Sequence, residues 1–176
     1  MSGGFFEVYM TRDSTYPKGR ERAFRVLKLM TERFPNGLPD RAQCYLAGLT
    51  TGWLLGHLIG IKDLDDLKDA FPLDPPEGGI RDAIPYGRDE TAPEVEALRE
   101  DELLDESWHQ TWMGIRNDLY HFTLRGSAMP ERSTLAWLGY LRGELEGEAI
   151  SNDEYERLKA MLPRVHDEFT PLLAAL

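Results

Sequence analysis

With 176 residues, 41% of them hydrophobic and 29% charged, the chain is long enough to bury a core as a single domain and too apolar to be disordered throughout. Its net charge of -11 argues against binding nucleic acid by overall attraction to phosphate, although a local basic groove is compatible with it. The single cysteine, Cys44, excludes an intrachain disulfide, fits a reducing cytoplasm and reads as a small buried hydrophobe among apolar neighbours.

From the N-terminus, MSGGFFEVYM has neither a basic start nor an apolar run long enough for a signal peptide, so a cytoplasmic protein is expected. Phe5 to Met10 alternates weakly and, with no second strand candidate, is expected to be an arm packed on helices. Pro17 opens a helix to about Arg33, with Ala23, Phe24, Val26, Leu27 and Met30 inward. Residues 11–35 hold seven basic against three acidic residues, a local +4 that leaves -15 on the remainder. Lys18, Arg22 and Arg25 are spaced to form one stripe, which suits either contacts to RNA phosphates or a solvated face paired with the acidic remainder.

Pro35-Asn36-Gly37 breaks this helix. A second runs from Pro39 or Asp40 to about Gly60, followed by a short helix from Leu64 to Phe71. The stretch from Tyr45 to Ile61 is the most apolar, but Thr50, Thr51, His57 and four glycines make it a buried helix rather than a membrane span. Residues 72–92 read as a long loop rich in proline and glycine. Pro93 starts a long helix, Glu94 to about Arg125, acidic in its first half as suits the positive N-terminal dipole. Pro130 opens another to about Glu146. Ser151 with Glu154 forms a capping box, and a last helix follows Pro163.

Gly48, Gly52 and Gly56 recur 91 residues later as Gly139, Gly143 and Gly147, with Leu54 on Leu145, Ile59 on Ile150 and Leu67-Lys68 on Leu158-Lys159 at the same offset. Each glycine costs a helix roughly 1 kcal/mol relative to alanine, so three in a stripe need a structural return. Close approach of another backbone supplies it. The expected fold is therefore all-α: residues 1–176 form one domain, a compact bundle of about six helices. Two similar glycine-striped helix-turn-helix units, 39–71 and 130–162, cross through their glycine faces and clasp a central helix of about 94–125.

The chemistry-bearing stretch is Trp108 to Arg125, and inside it Arg116-Asn117-Asp118-Leu119-Tyr120-His121. Asn117 and His121, four apart, share a helix face; Arg116 points roughly 140° from His121. This hexapeptide resembles the signature of HEPN domains, small all-helical proteins many of which cut RNA without a metal, although Phe122 stands where many members have a small residue. The resemblance implies His121 as general acid or base, Arg116 as the group that stabilises phosphate charge, Asn117 as the residue that orients one or the other, and a homodimer with two motifs facing across a two-fold axis. It implies RNA as substrate, a defence or toxin setting, and no cofactor. Histidine suits such proton transfer and arginine suits two-point phosphate binding. The same residues also fit an amphipathic helix with Ile115, Leu119 and Phe122 inward.

Glu106-x-x-His109 and Asp118-x-x-His121 have the spacing of di-iron bundles, but such sites draw their motifs from different helices, so no metal site is expected. Trp108, Trp112 and Tyr120 fit core spacing better than a base-stacking platform. The alternative to an RNase is a non-enzymatic inhibitor, immunity or anti-defence factor, or adaptor that covers a basic surface on a partner protein. Glu100, Asp101 and Glu102, in the acidic stretch from Asp89 to Glu106, are its candidate contacts.

Overall fold

The computed structural model describes residues 16–71, 90–98 and 107–176. The Phe5–Met10 segment, most of the 72–92 loop, and Glu100, Asp101, Glu102 and Glu106 lie outside the described residues. Within them there are helices and no strands: α1 Pro17–Arg33, α2 Asp40–Leu55, α3 Ile61–Ala70, α4 Pro93–Glu96, α5 Ser107–Leu124, α6 Glu131–Glu146, α7 Asn152–Lys159 and α8 Phe169–Ala174. No described helix is long and apolar enough to cross a membrane.

The glycine stripes organise the molecule. α2 and α6 lie side by side in the same direction, Gly48 against Ala136 and Tyr140, Gly52 against Gly143, Gly56 against Gly147. A β-carbon on Gly143 would stand 2.5 Å from the Leu49 carbonyl oxygen, and one on Gly147 would stand 2.6 Å from that of Gly56. Contacts occur in reciprocal pairs: Gly48 faces the Ala136 carbonyl as Gly139 faces that of Tyr45, and both members are shifted by 91 residues. Arg41 pairs with Glu131 and Arg132 with Asp40 by the same rule. Two sets of contacts interchanged by one shift define a pseudo-two-fold axis along the helix pair, the relation expected of an isologous interface.

The duplication extends further than the glycines suggest. Arg20, Ala23, Phe24 and Leu27 are buried in α1, and the residues 91 positions on, Thr111, Gly114, Ile115 and Asp118, are the buried residues of α5. Each unit therefore has three helices, α1–α3 and α5–α7, and α5 is the counterpart of α1. The α2–α6 pair holds the centre, in place of a single helix from Glu94 to Arg125. Here α4 closes at Ala97, whose N–H returns to Pro93 and Val95. α4 is held by docking Ala92 on α5.

Both central helices end in the same turn. The Leu58 N–H reaches the Trp53 carbonyl and the His57 N–H that of Leu54; Ala149 and Glu148 repeat this with Glu144 and Leu145. This is a Schellman turn, and its left-handed position is taken by His57 (φ 57°) and Glu148 (φ 60°). The preceding glycines, Gly56 and Gly147, have ordinary negative φ because they serve the helix contact and not the turn. A side chain in this conformation costs about 1–2 kcal/mol, offset in part by the greater freedom of unfolded glycine. His57→Gly and Glu148→Gly are each expected to stabilise the protein by about 0.5–1 kcal/mol, read as a higher urea midpoint with unchanged slope. A lower midpoint would contradict the strain.

Short segments cover the outer helices. Phe169 of α8 is fully buried between Phe34 and Tyr45, the Tyr45 hydroxyl bonds Thr170 at 2.8 Å, and Arg22 donates to the Leu173 carbonyl. On the other unit, α4 and the residues before it lie along α5.

Candidate functional site

α5 carries the Arg-Asn-x-x-x-His pattern, and its helical spacing divides the three residues between two faces. The Asn117 side-chain oxygen accepts the Ala92 N–H at 2.8 Å, so it satisfies the first donor position of α4. One turn on, His121 Nδ1 meets Glu90 Oε2 at 2.9 Å, and the other Glu90 oxygen takes Arg125 at 2.7 Å. Hydrogen bonds from His121, then from Arg125, hold the Glu90 carboxyl down to about 2. Its folded value lies below the ordinary one, so the stabilisation is present above about pH 4.5 and is lost as pH falls toward 2. The His121 side chain is 16% exposed and that of Glu90 26%, which places this pair at the rim of the fold and not in its core.

Arg116 turns the other way. Its guanidinium carbon sits 5.7 Å from the centre of the Trp112 ring, a cation–π stack across one helical turn. Among the described residues its Nε has no hydrogen-bond partner. The structure thus brings Asn117 and His121 together on the segment 90–92 and places Arg116 on Trp112. Asp118 is buried and accepts the Trp137 indole N–H at 2.7 Å, away from any partnership with His121. Among the described residues no group of three or more histidine, cysteine or acidic side chains is arranged to hold a metal.

The basic stripe of α1 is divided as well. Lys18 is exposed, Arg25 pairs with Glu21 at 2.6 Å, and Arg22 reaches Glu146 on α6 at 2.8 Å as well as α8. Arg22 therefore ties three helices together.

Chemically, an imidazole fixed through one nitrogen by a carboxylate can exchange a proton at the other, and Arg125 supplies a cation beside it. Sequence reasoning missed Glu90 and Arg125. Glu90 is 31 residues from His121 within a loop, and no local spacing signals that pairing. It also missed Glu144, 1% exposed on α6 and hydrogen-bonded to the buried Thr111 hydroxyl at 2.6 Å; the 91-residue offset, which sets Glu144 on Trp53, was the available signal. The chain matches no family model, no curated protein and no solved structure.

Proposed function

We propose that this chain is a non-enzymatic acidic interaction protein that binds a basic surface on a partner protein. The observation that carries the reading is the use made of Arg116, Asn117 and His121. Each has a contact inside the fold, Asn117 and His121 gripping the segment 90–92 and Arg116 stacking on Trp112, so the pattern works as a clasp. The net charge of -11 then becomes the main chemical feature offered to a partner, and like-signed surfaces act chiefly by steering and selecting oppositely charged ones. Glu100, Asp101 and Glu102 are the proposed contacts. A basic model peptide rich in lysine is the probe. Its association is expected to slow about tenfold or more between low and physiological salt, and Glu100→Lys, Asp101→Lys and Glu102→Lys combined should slow it further with the melt intact. Association indifferent to both salt and the reversals would remove the reading.

A second reading, HEPN-like RNA cleavage by a homodimer, is favoured by the carboxylate behind His121, the arrangement that orients an acid–base imidazole. It requires chelator-resistant RNA cleavage that leaves 2',3'-cyclic phosphate, and a loss of about a hundredfold or more in His121→Ala. Folded wild-type protein that leaves RNA uncut would reject it.

A further inference from the structure

The two units differ most where their polar groups are buried. In the first, Arg20 lies buried between Asp63 and Asp66. In the second, Thr111 stands at the Arg20 position and Glu144 at the Trp53 position. Glu144 is 1% exposed, and Thr111 is its hydrogen-bond partner on α5. Among the described residues no cation pairs with Glu144. Arg142, two residues before it on α6, pairs with Glu146, as does Arg22 of α1. A carboxyl group buried with a hydroxyl and no cation is far more stable neutral than charged. The groups facing it are the Thr111 hydroxyl from α5 and the Glu154 carboxylate from α7; on the α2 side, Gly52 lies against the Glu144 backbone nitrogen.

We propose that Glu144 is a pH-sensitive latch: neutral, it holds α5 against α6, and its ionisation loosens α5, together with the 90–98 segment that α5 clasps, while the first unit stays closed. Burial pushes the carboxyl up to about 7; the Thr111 hydroxyl pulls it down and the Glu154 charge raises it again. The folded value lies above the unfolded one near 4.5, so the stabilisation is complete below about pH 4.5 and drains away as pH rises to about 7. A pH change in this window thereby alters whatever surface α5 and α4 present to a partner. The latch does not depend on which proposed function holds.

The test is amide hydrogen exchange of the full chain at pH 5 and pH 7, with rates normalised to intrinsic exchange at each pH. Protection of α5 amides is expected to fall by about tenfold or more, the linkage limit being a decade per pH unit, while α1 amides keep theirs. α5 also carries two imidazoles, His109 and His121, so the isosteric variant is decisive: Glu144→Gln should remove the pH dependence. α5 protection that does not change with pH, a fall shared equally by α1, or a fall retained in Glu144→Gln would each overturn the proposal. If that variant does not fold, the carboxyl-carbon NMR titration of Glu144 in the wild type decides, a midpoint near 7 supporting the latch and one near 4.5 overturning it.

Discussion

Gly48→Ala and Gly139→Ala are each expected to lower the unfolding free energy by about 3 kcal/mol or more. A methyl group on Gly48 would overlap the Ala136 carbonyl, and one on Gly139 that of Tyr45. The obstacles are backbone atoms inside rigid helices, which no side-chain rotation can move aside. The helices must separate, and because contacts run from Gly48 to Gly56, separation at one end strips packing along the whole pair. Helix propensity alone gives the opposite sign, since alanine for glycine within a helix stabilises by about 1 kcal/mol. Gly52→Leu and Gly143→Leu should be at least as damaging. Urea midpoints that rise in the alanine variants, or do not move, would exclude the close parallel crossing of α2 and α6.

Removing the buried arginine is the second large effect. Arg20→Ala is expected to destabilise by about 3–5 kcal/mol, because it removes the buried guanidinium that pairs with both Asp63 and Asp66. Arg20 is 1% exposed, and its ion pairs to Asp63 and Asp66 are each 3.1 Å long. Part of that cost is carboxylate charge no longer met by Arg20 and not the lost attraction, so Arg20→Met combined with Asp63→Asn, which neutralises one of the two carboxylates, should recover part of it. The amide introduced by Asp63→Asn keeps an oxygen for the Gly60 N–H, whose hydrogen bond Asp63 now accepts. The double-mutant cycle of chemical melts measures the coupling; additive losses would show that the pair does not act as a unit. The same surroundings explain why Arg20 cannot belong to an exposed basic stripe although it lies between Lys18 and Arg22 in sequence.

Local signals made much of the helical layout legible. Pro17 and Pro130 lie at helix starts, the Ser151–Glu154 capping box is formed as its spacing requires, and the apolar spacing of α1 matches its buried face. These depend on groups within a turn or two of one another, which the order of residues already determines. The shared face of Asn117 and His121, and the displacement of Arg116 from it, follow from 3.6 residues per turn in the same way.

What each face meets is a different matter. The glycine stripes state that a backbone comes close to Gly48, Gly52 and Gly56, and their recurrence at 139, 143 and 147 already pointed to the duplicate as that backbone; only the tertiary structure decided that the two helices run parallel and are related by a two-fold. The kinship of α1 and α5 was hidden because Arg25 and Arg116 are the one identical pair between residues 17–33 and 108–124, while burial, set by position against α2 and α6, is shared. Likewise, a histidine, a glutamate and an arginine at 121, 90 and 125 have no local reason to meet. By itself the sequence determined the helices, their caps and the glycine faces, because those are short-range properties of the chain. Tertiary structure decided that Arg22 braces three helices, that Glu90 holds His121 and that Glu144 is buried with no cation paired to it among the described residues, because burial and charge pairing are settled only when distant elements pack.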